Sequence, residues 1–267
     1  MSFLRLSANS IAIALSCVAV SPAFAADDLY VTVGAKVWSN KWTSWDYYAP
    51  IALNAVQSLP GASENFSSSS QASFIPSLTM RYGDFMVTGS LFAKKDYGFT
   101  GSDGKTFTAK RDETDLHGGY FVLPTLAVTL GYKDAKQDFG PGREFKYSGP
   151  IIGLAGSAPL TQGFSLYGNF GYGSMKADFP KGFTDNNGKN SLNADYYLGE
   201  VGLAYSFDAK AIFPSAKALT ATLGYRNQTL ATQSFAVGTD ANKPSLSRST
   251  ELRDNTEGLS LGLSVTF

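Results

Sequence analysis

Ten segments of this chain alternate apolar and polar side chains with a period of two, and turn-forming residues separate them. Such alternation builds strands with one greasy face and one wet face. The segments are 29–38, 71–82, 85–94, 114–122, 126–136, 147–158, 164–173, 195–207, 218–228 and 256–267. In 126–132, for example, Leu126, Val128, Leu130 and Tyr132 alternate with Ala127, Thr129 and Gly131. The connections alternate too. Gly83-Asp84, Leu123-Pro124-Thr125 and Pro159 to Gly163 are tight, and Asp208 to Lys217 is a longer member of the same set. Between them run the long links 39–70, 95–113, 137–146, 174–194 and 229–255, rich in Ser, Asn, Asp, Gly and Lys. Short turns at one end and long loops at the other predict an all-β fold: a closed antiparallel up-and-down transmembrane β-barrel of about ten strands. An even strand number leaves both ends of the barrel domain on the short-turn side.

A mean hydropathy near zero would pass for a soluble protein. Outside the first residues, no apolar run reaches the roughly 18 residues of a spanning helix. The 27 Gly, 14 Tyr and 19 Phe suit strands whose two faces meet different solvents. Lys and Arg total 22, as do Asp and Glu, so no electrostatic case exists for a nucleic-acid partner.

Residues 1–25 read as a secretory signal peptide. Arg5 supplies positive charge, Ala8 to Val20 is mostly apolar, and Ala23-Phe24-Ala25 offers a small-x-small cleavage site. A lipoprotein reading through Cys17 is disfavoured, because Ala14 stands where a lipobox wants Leu. Cys17 is the only cysteine, so the expected barrel domain, 26–267, holds together without disulfides and has no thiol chemistry.

The last segment carries a resemblance. Leu259, Leu261, Leu263, Val265 and Phe267 alternate with Ser260, Gly262, Ser264 and Thr266, ending on Phe267. This is similar to the C-terminal β-signal of Gram-negative outer-membrane β-barrel proteins, which the barrel-assembly machinery reads. The resemblance implies export through the periplasm, insertion into the outer membrane, and outer-membrane lipids and lipopolysaccharide as neighbours. Tyr132, Tyr172 and Tyr225 then form an outer aromatic girdle, and Tyr82, Phe85, Phe164, Phe207 and Phe267 an inner one. Pro76 and Pro150 fall inside strands, where bulges or broken pairing are expected. Ile151 and Ile152 claim opposite faces of 147–158.

The opposite parity points inward. It collects Lys36, Arg81, Lys94, Asp115, His117, Lys133, Glu200 and Arg226 among small residues such as Thr79, Thr88, Thr129 and Ser260. A ten-stranded barrel is only slightly wider than one that side chains fill, so a narrow wet passage is the most it can hold. Lys36, Lys94, Lys133 and Arg226 lie toward the extracellular mouth. They either form a basic constriction for small anionic solutes or pair with Asp115 and Glu200 and close the lumen. An isolated buried charge is costly, which favours pairing.

Asp115-Leu116-His117 resembles, over three residues, the Asp–His pair of the ten-stranded omptin proteases. No acidic pair stands in a matching early loop, so a histidine bonded to its neighbours is the favoured reading and no enzyme is expected. A lipid-modifying hydrolase is an alternative without a distinguished serine. No cofactor is expected, and one histidine without clustered carboxylates makes no metal site. In 39–70, Trp42, Trp45, Tyr47 and Tyr48 either present exposed aromatics to a partner, as in an adhesin or receptor, or extend the outer girdle. Ile51 to Leu59 could form a short helix that lies over the mouth or folds into it, where it would act as a plug. A narrow passive pore or a scaffold displaying loops is therefore the expected function.

Overall fold

The period-two segments fold as the strands of one sheet. In the computed structural model, residues 29–48, 62–100, 106–180, 189–210, 212–233 and 249–267 are described, with strand fragments at Ile13–Leu15, Val18–Val20, Ile51–Ala52, Ser58–Leu59, Phe183–Asp185 and Phe235–Val237. The leader expected over 1–25 lies outside the described residues, save for the first two fragments. The barrel staves are β1 (Leu29–Tyr48), β2 (two pieces, Ala62–Ser68 and Gln71–Tyr82), β3 (Phe85–Thr100), β4 (Thr106–Leu123) and β5 (Leu126–Asp138). Then follow β6 (Glu144–Thr161), β7 (Phe164–Asp178), β8 (Ser191–Phe207), β9 (Ala218–Gln233) and β10 (Ser249–Thr266). The sheet counts 11 strands because β2 is split, which makes ten staves. Each stave is antiparallel to the next, and β10 returns to β1 with Leu261 opposite Val37 and Val265 opposite Val33. That pairing leaves no free edge, as a chain in lipid requires. Gly83 and Gly163 take the positive φ, 56° and 77°, that the tight turns need.

Leu130, Ile152, Leu154, Val201, Leu223 and Leu261 are exposed on the outer wall and mark the lipid-facing belt. Aromatic girdles bound it. Below, Phe85 lies 5.2 Å from Tyr120 and Phe164 lies 4.6 Å from Tyr205. Above, Tyr172 lies 5.4 Å from Tyr197. Ile212 and Phe213 add exposed apolar surface in the longest lower turn.

The staves are longer than the belt. β1 runs for 20 residues, whereas a tilted spanning strand needs roughly 9–11. Much of each link expected as loop is therefore strand, carried beyond the membrane. There the alternation keeps its period and exchanges its faces. On β6, Ile152 and Leu154 face lipid, whereas Phe145, Tyr147 and Ile151 face the interior and Lys146 faces water. On β7, Phe170 and Tyr172 are outside, and Met175 and Ala177 inside. On β10, Leu259 to Leu263 present alternate leucines to lipid, and Leu252 turns inward beside exposed Arg253. Ile151 and Ile152 mark the crossing point, 3% and 57% exposed, which settles their competing claims.

Three interruptions locate the irregular wall. The β3–β4 register slips between Phe92 and Lys95, a bulge that flips the parity of upper β3. The β2–β3 ladder stops above Ser77–Ser90, at Pro76, and resumes only at Ser68–Phe99. At Pro150, β6 skips two pairs with β7 without losing register. The helix expected over Ile51 to Leu59 is not what the described ends form. Ile51–Ala52 pairs with Ser58–Leu59 as a small hairpin.

Candidate functional site

The lumen is filled in three tiers. At the periplasmic end, cross-strand hydroxyls bond one another: Thr32 with Thr266 at 2.9 Å, Thr79 with Thr88 at 2.9 Å, and Ser206 with Thr220 at 2.8 Å. Met86, Phe121, Ala127, Ala155, Tyr167 and Ala204 pack between them. Arg81 lies here, donating Nε to the Gly83 carbonyl at 2.9 Å with its guanidinium 4.0 Å above Phe121.

The middle tier is ionic and holds two clusters. In the first, Glu200 accepts from Lys36, from Arg226 Nη1 at 3.2 Å, from Tyr167 Oη at 3.0 Å and from Ser260 Oγ at 3.2 Å. Tyr167 reaches Glu200 because Gly202 and Gly224 leave room for its ring; a Cβ on either would collide with it. In the second, Lys133 donates to Glu113 and, at 2.9 Å, to Asp115. Arg111 binds Glu113 through Nε and reaches Thr256 through Nη1, while Gln228 Nε2 donates to Glu113 at 3.3 Å. Two rings roof the clusters, Trp38 at 5.3 Å from Arg226 and Tyr196 at 5.2 Å from Lys133. A cavity of about 30 Å³ remains beside them, lined by Lys36, Asp115, His117, Thr129, Asn169 and Arg226, with room for water but not for a solute.

The extracellular tier is an apolar core. Trp38, Trp42, Ile75, Phe92, Tyr97, Phe99 and Ala109 form one cluster, and Phe145, Tyr147, Ile151, Met175, Phe179, Leu192, Tyr196, Leu230 and Leu252 lie in the other. Phe139 joins them, 5.3 Å from Trp42 and 5.5 Å from Phe145. Gly140 and Gly142 shape its turn, with φ of 113° and 73°. Trp42 Nε1 donates to Asp254 at 3.1 Å, and burial in this core pushes the Asp254 carboxyl above its ordinary range.

Lys36, Glu200 and Arg226 come together, as do Asp115 and Lys133, and Arg81 stands apart near the lower turn. Lys94 is a correction: it is exposed, because the β3 bulge adds a residue and takes it off the inward face. Trp42 is a second correction. Expected on an outer loop, it is fully buried in the upper core. The side chains of Trp45, Tyr47 and Tyr48 lie outside the described residues. His117 lies against Gly131, where an added Cβ would strike its ring. Asp115 beside it is held by Lys133. Among the described residues no group of His, Cys, Asp or Glu could hold a metal ion. Arg111, Glu113 and Asp254 lie in links whose composition predicts loops, so the period-two pattern of the belt does not single them out. The face exchange is the signal that finds them.

Residues 90–267 match the model of the OmpA-like transmembrane domain. No curated protein matches the chain. Among solved structures, the outer membrane protease OmpT from Escherichia coli aligns at 15% identity and a TM-score of 0.46, covering 92% of this chain and 98% of that one. The outer membrane protein AlkL, in lipid bilayers, aligns at 12% and 0.42, covering 92% and 94%. The toluene transporter TodX of P. putida aligns at 10% and 0.28, covering 91% and 90%. Likenesses this distant say nothing of activity.

Proposed function

Because this chain belongs to the OmpA-like transmembrane domain family, we propose that it is a closed outer-membrane barrel, a membrane-anchored scaffold for an extracellular β-core and not a standing pore. The protein is an integral outer-membrane β-barrel of a Gram-negative bacterium. The observation that carries the finer reading is the occupancy of its midsection. Lys36, Arg226, Arg111 and Lys133 all bind buried carboxylates, so among the described residues no row of free cations faces a passage. A closed ionic tier under an apolar core supports a plug over a filter. In such a scaffold His117 takes no catalytic part and no solute passes through the barrel.

Residues 1–25 direct export through the periplasm, and the assembly machinery reads Leu259, Leu261, Leu263, Val265 and Phe267. Four of these five are exposed on the closing stave, and Val265 is half-buried. Outer-membrane lipids contact the belt, while lipopolysaccharide headgroups meet the outward cations above it, among them Lys94, Lys110 and Lys176. Efflux from liposomes tests the scaffold reading. Folded protein leaves a trapped small anion inside as long as protein-free vesicles do, and rapid release would overturn the reading.

A further inference from the structure

The small cavity in the middle tier borders a cluster whose charges do not cancel. Glu200 pairs across the sheet with Asn169 on one side and Arg226 on the other, which sets the three in a row along the wall. Lys36 and Arg226 share the Glu200 carboxylate, and two cations on one acid leave one positive charge in this cluster. The second cluster is balanced, because Arg111 and Lys133 meet Glu113 and Asp115. Asp254, the remaining buried acid among the described residues, belongs to the upper core and does not line the cavity. His117 does line it, and protonation there only adds positive charge. The cavity exists because Gly153 and Gly171, direct cross-strand partners on the inward face, put no side chain into it.

Hydrogen bonding points the same way. Arg226 lines the cavity and gives Nη1 to Glu200, yet its buried Nε–H meets no acceptor among the described residues. Lys36 Nζ carries three N–H groups, and Glu200 takes one of them. Thr129 and Asn169 add neutral polar groups to the lining. A buried donor without an acceptor and a buried charge without its counter-charge both cost free energy. Water would satisfy the donor and leave the charge. A small anion satisfies both. A space of about 30 Å³ holds a water-sized occupant, which admits a halide and excludes phosphate, sulfate and carboxylates. Asp115 at its edge, held by Lys133, disfavours anything of higher negative charge. We propose that the cavity binds a single chloride ion against Lys36 and Arg226, which completes the charge balance of the plug. The inference goes beyond the closed-lumen reading and rests on it, since a water-filled pore would screen the same charge.

Chloride-dependent stability tests it. The folded protein in detergent is unfolded with urea while chloride replaces gluconate, an anion too large for the cavity, at constant ionic strength. Above the dissociation constant, the unfolding constant of the parent falls about tenfold for each tenfold rise in chloride. Lys36→Gln leaves Arg226 paired with Glu200, neutralises the cluster and removes that dependence. The variant still registers any general effect of chloride on the solvent, so the difference between the two proteins reads the site alone. Equal chloride responses in parent and variant overturn the proposal, and liposome efflux from the same preparation shows whether the closed lumen fails with it. Crystals of the parent grown in bromide need no variant. An anomalous peak beside Arg226 Nε is expected, and an ordered water there without such a peak overturns the site.

Discussion

Arg226 and Glu200 are direct cross-strand partners, joined at 3.2 Å between Nη1 and Oε2 in the middle of the lumen. Lys36 binds the other carboxylate oxygen from β1, three staves round the wall from β8, so one acid ties β1, β8 and β9 together. Removing that acid strands two buried cations. Glu200→Ala is expected to destabilise the folded barrel by about 3–5 kcal/mol, because an uncompensated buried charge costs more than its pair contributed. Urea unfolding followed by tryptophan emission checks this; an unchanged midpoint would refute the cluster.

The exchange of faces above the membrane makes a paired prediction on adjacent residues. Tyr147 is fully buried in the upper core, and Lys146 beside it is half in water, paired with Glu144 at 2.9 Å. Tyr147→Ala is expected to cost about 3 kcal/mol or more, as large aromatic truncations do. Lys146→Ala should stay within about 0.5 kcal/mol of the parent. Equal effects at the two sites would mean that this stretch is a loop after all.

The β2–β3 seam should breathe more than the rest of the wall. Between Ser77–Ser90 and Ser68–Phe99 these staves share no ladder pairs, whereas β9 and β10 pair without a break from Ala218–Thr266 to Gln233–Glu251. Hydrogen exchange of the folded protein is expected to be faster for residues 71–76 and 91–97 than for the β9–β10 residues at the same height. Uniform protection around the barrel would contradict the seam.

Burial of Asp254 makes the stability of the upper core depend on pH. Burial holds its folded pKa above the unfolded value. Its contribution is then full below the ordinary aspartate range and is lost as pH rises through the raised folded value. Asp254→Asn removes that slope. Unfolding midpoints measured from acid to neutral pH should fall less steeply for the variant than for the parent, and parallel profiles would contradict the assignment.

Much of this was legible in the residues themselves. The belt segments, both girdles and the pairing of 256–267 with 29–38 all follow from a period of two with apolar residues on the lipid side. The upper staves were hidden by the same rule. Above the membrane, Trp42, Tyr97, Tyr147 and Met175 take the inward parity and Lys41, Lys146 and Lys176 the outward one. Looking for grease on the outside therefore makes a strand read as a polar loop. Lys94 was misplaced for a related reason, since one inserted residue in β3 inverts every assignment beyond it. Ion pairing in the lumen was foreseen for Glu200 and Asp115, but Glu113 became visible only once upper β4 was known to be strand. Which cation meets which acid depends on register across the barrel, and one strand at a time cannot show it.

Planar-bilayer recording reads directly whether the lumen is closed. The folded, purified protein, inserted at a concentration at which a known porin gives steps, is expected to leave the membrane current flat in molar salt. Discrete, reproducible conductance steps from the parent protein would contradict the closed barrel.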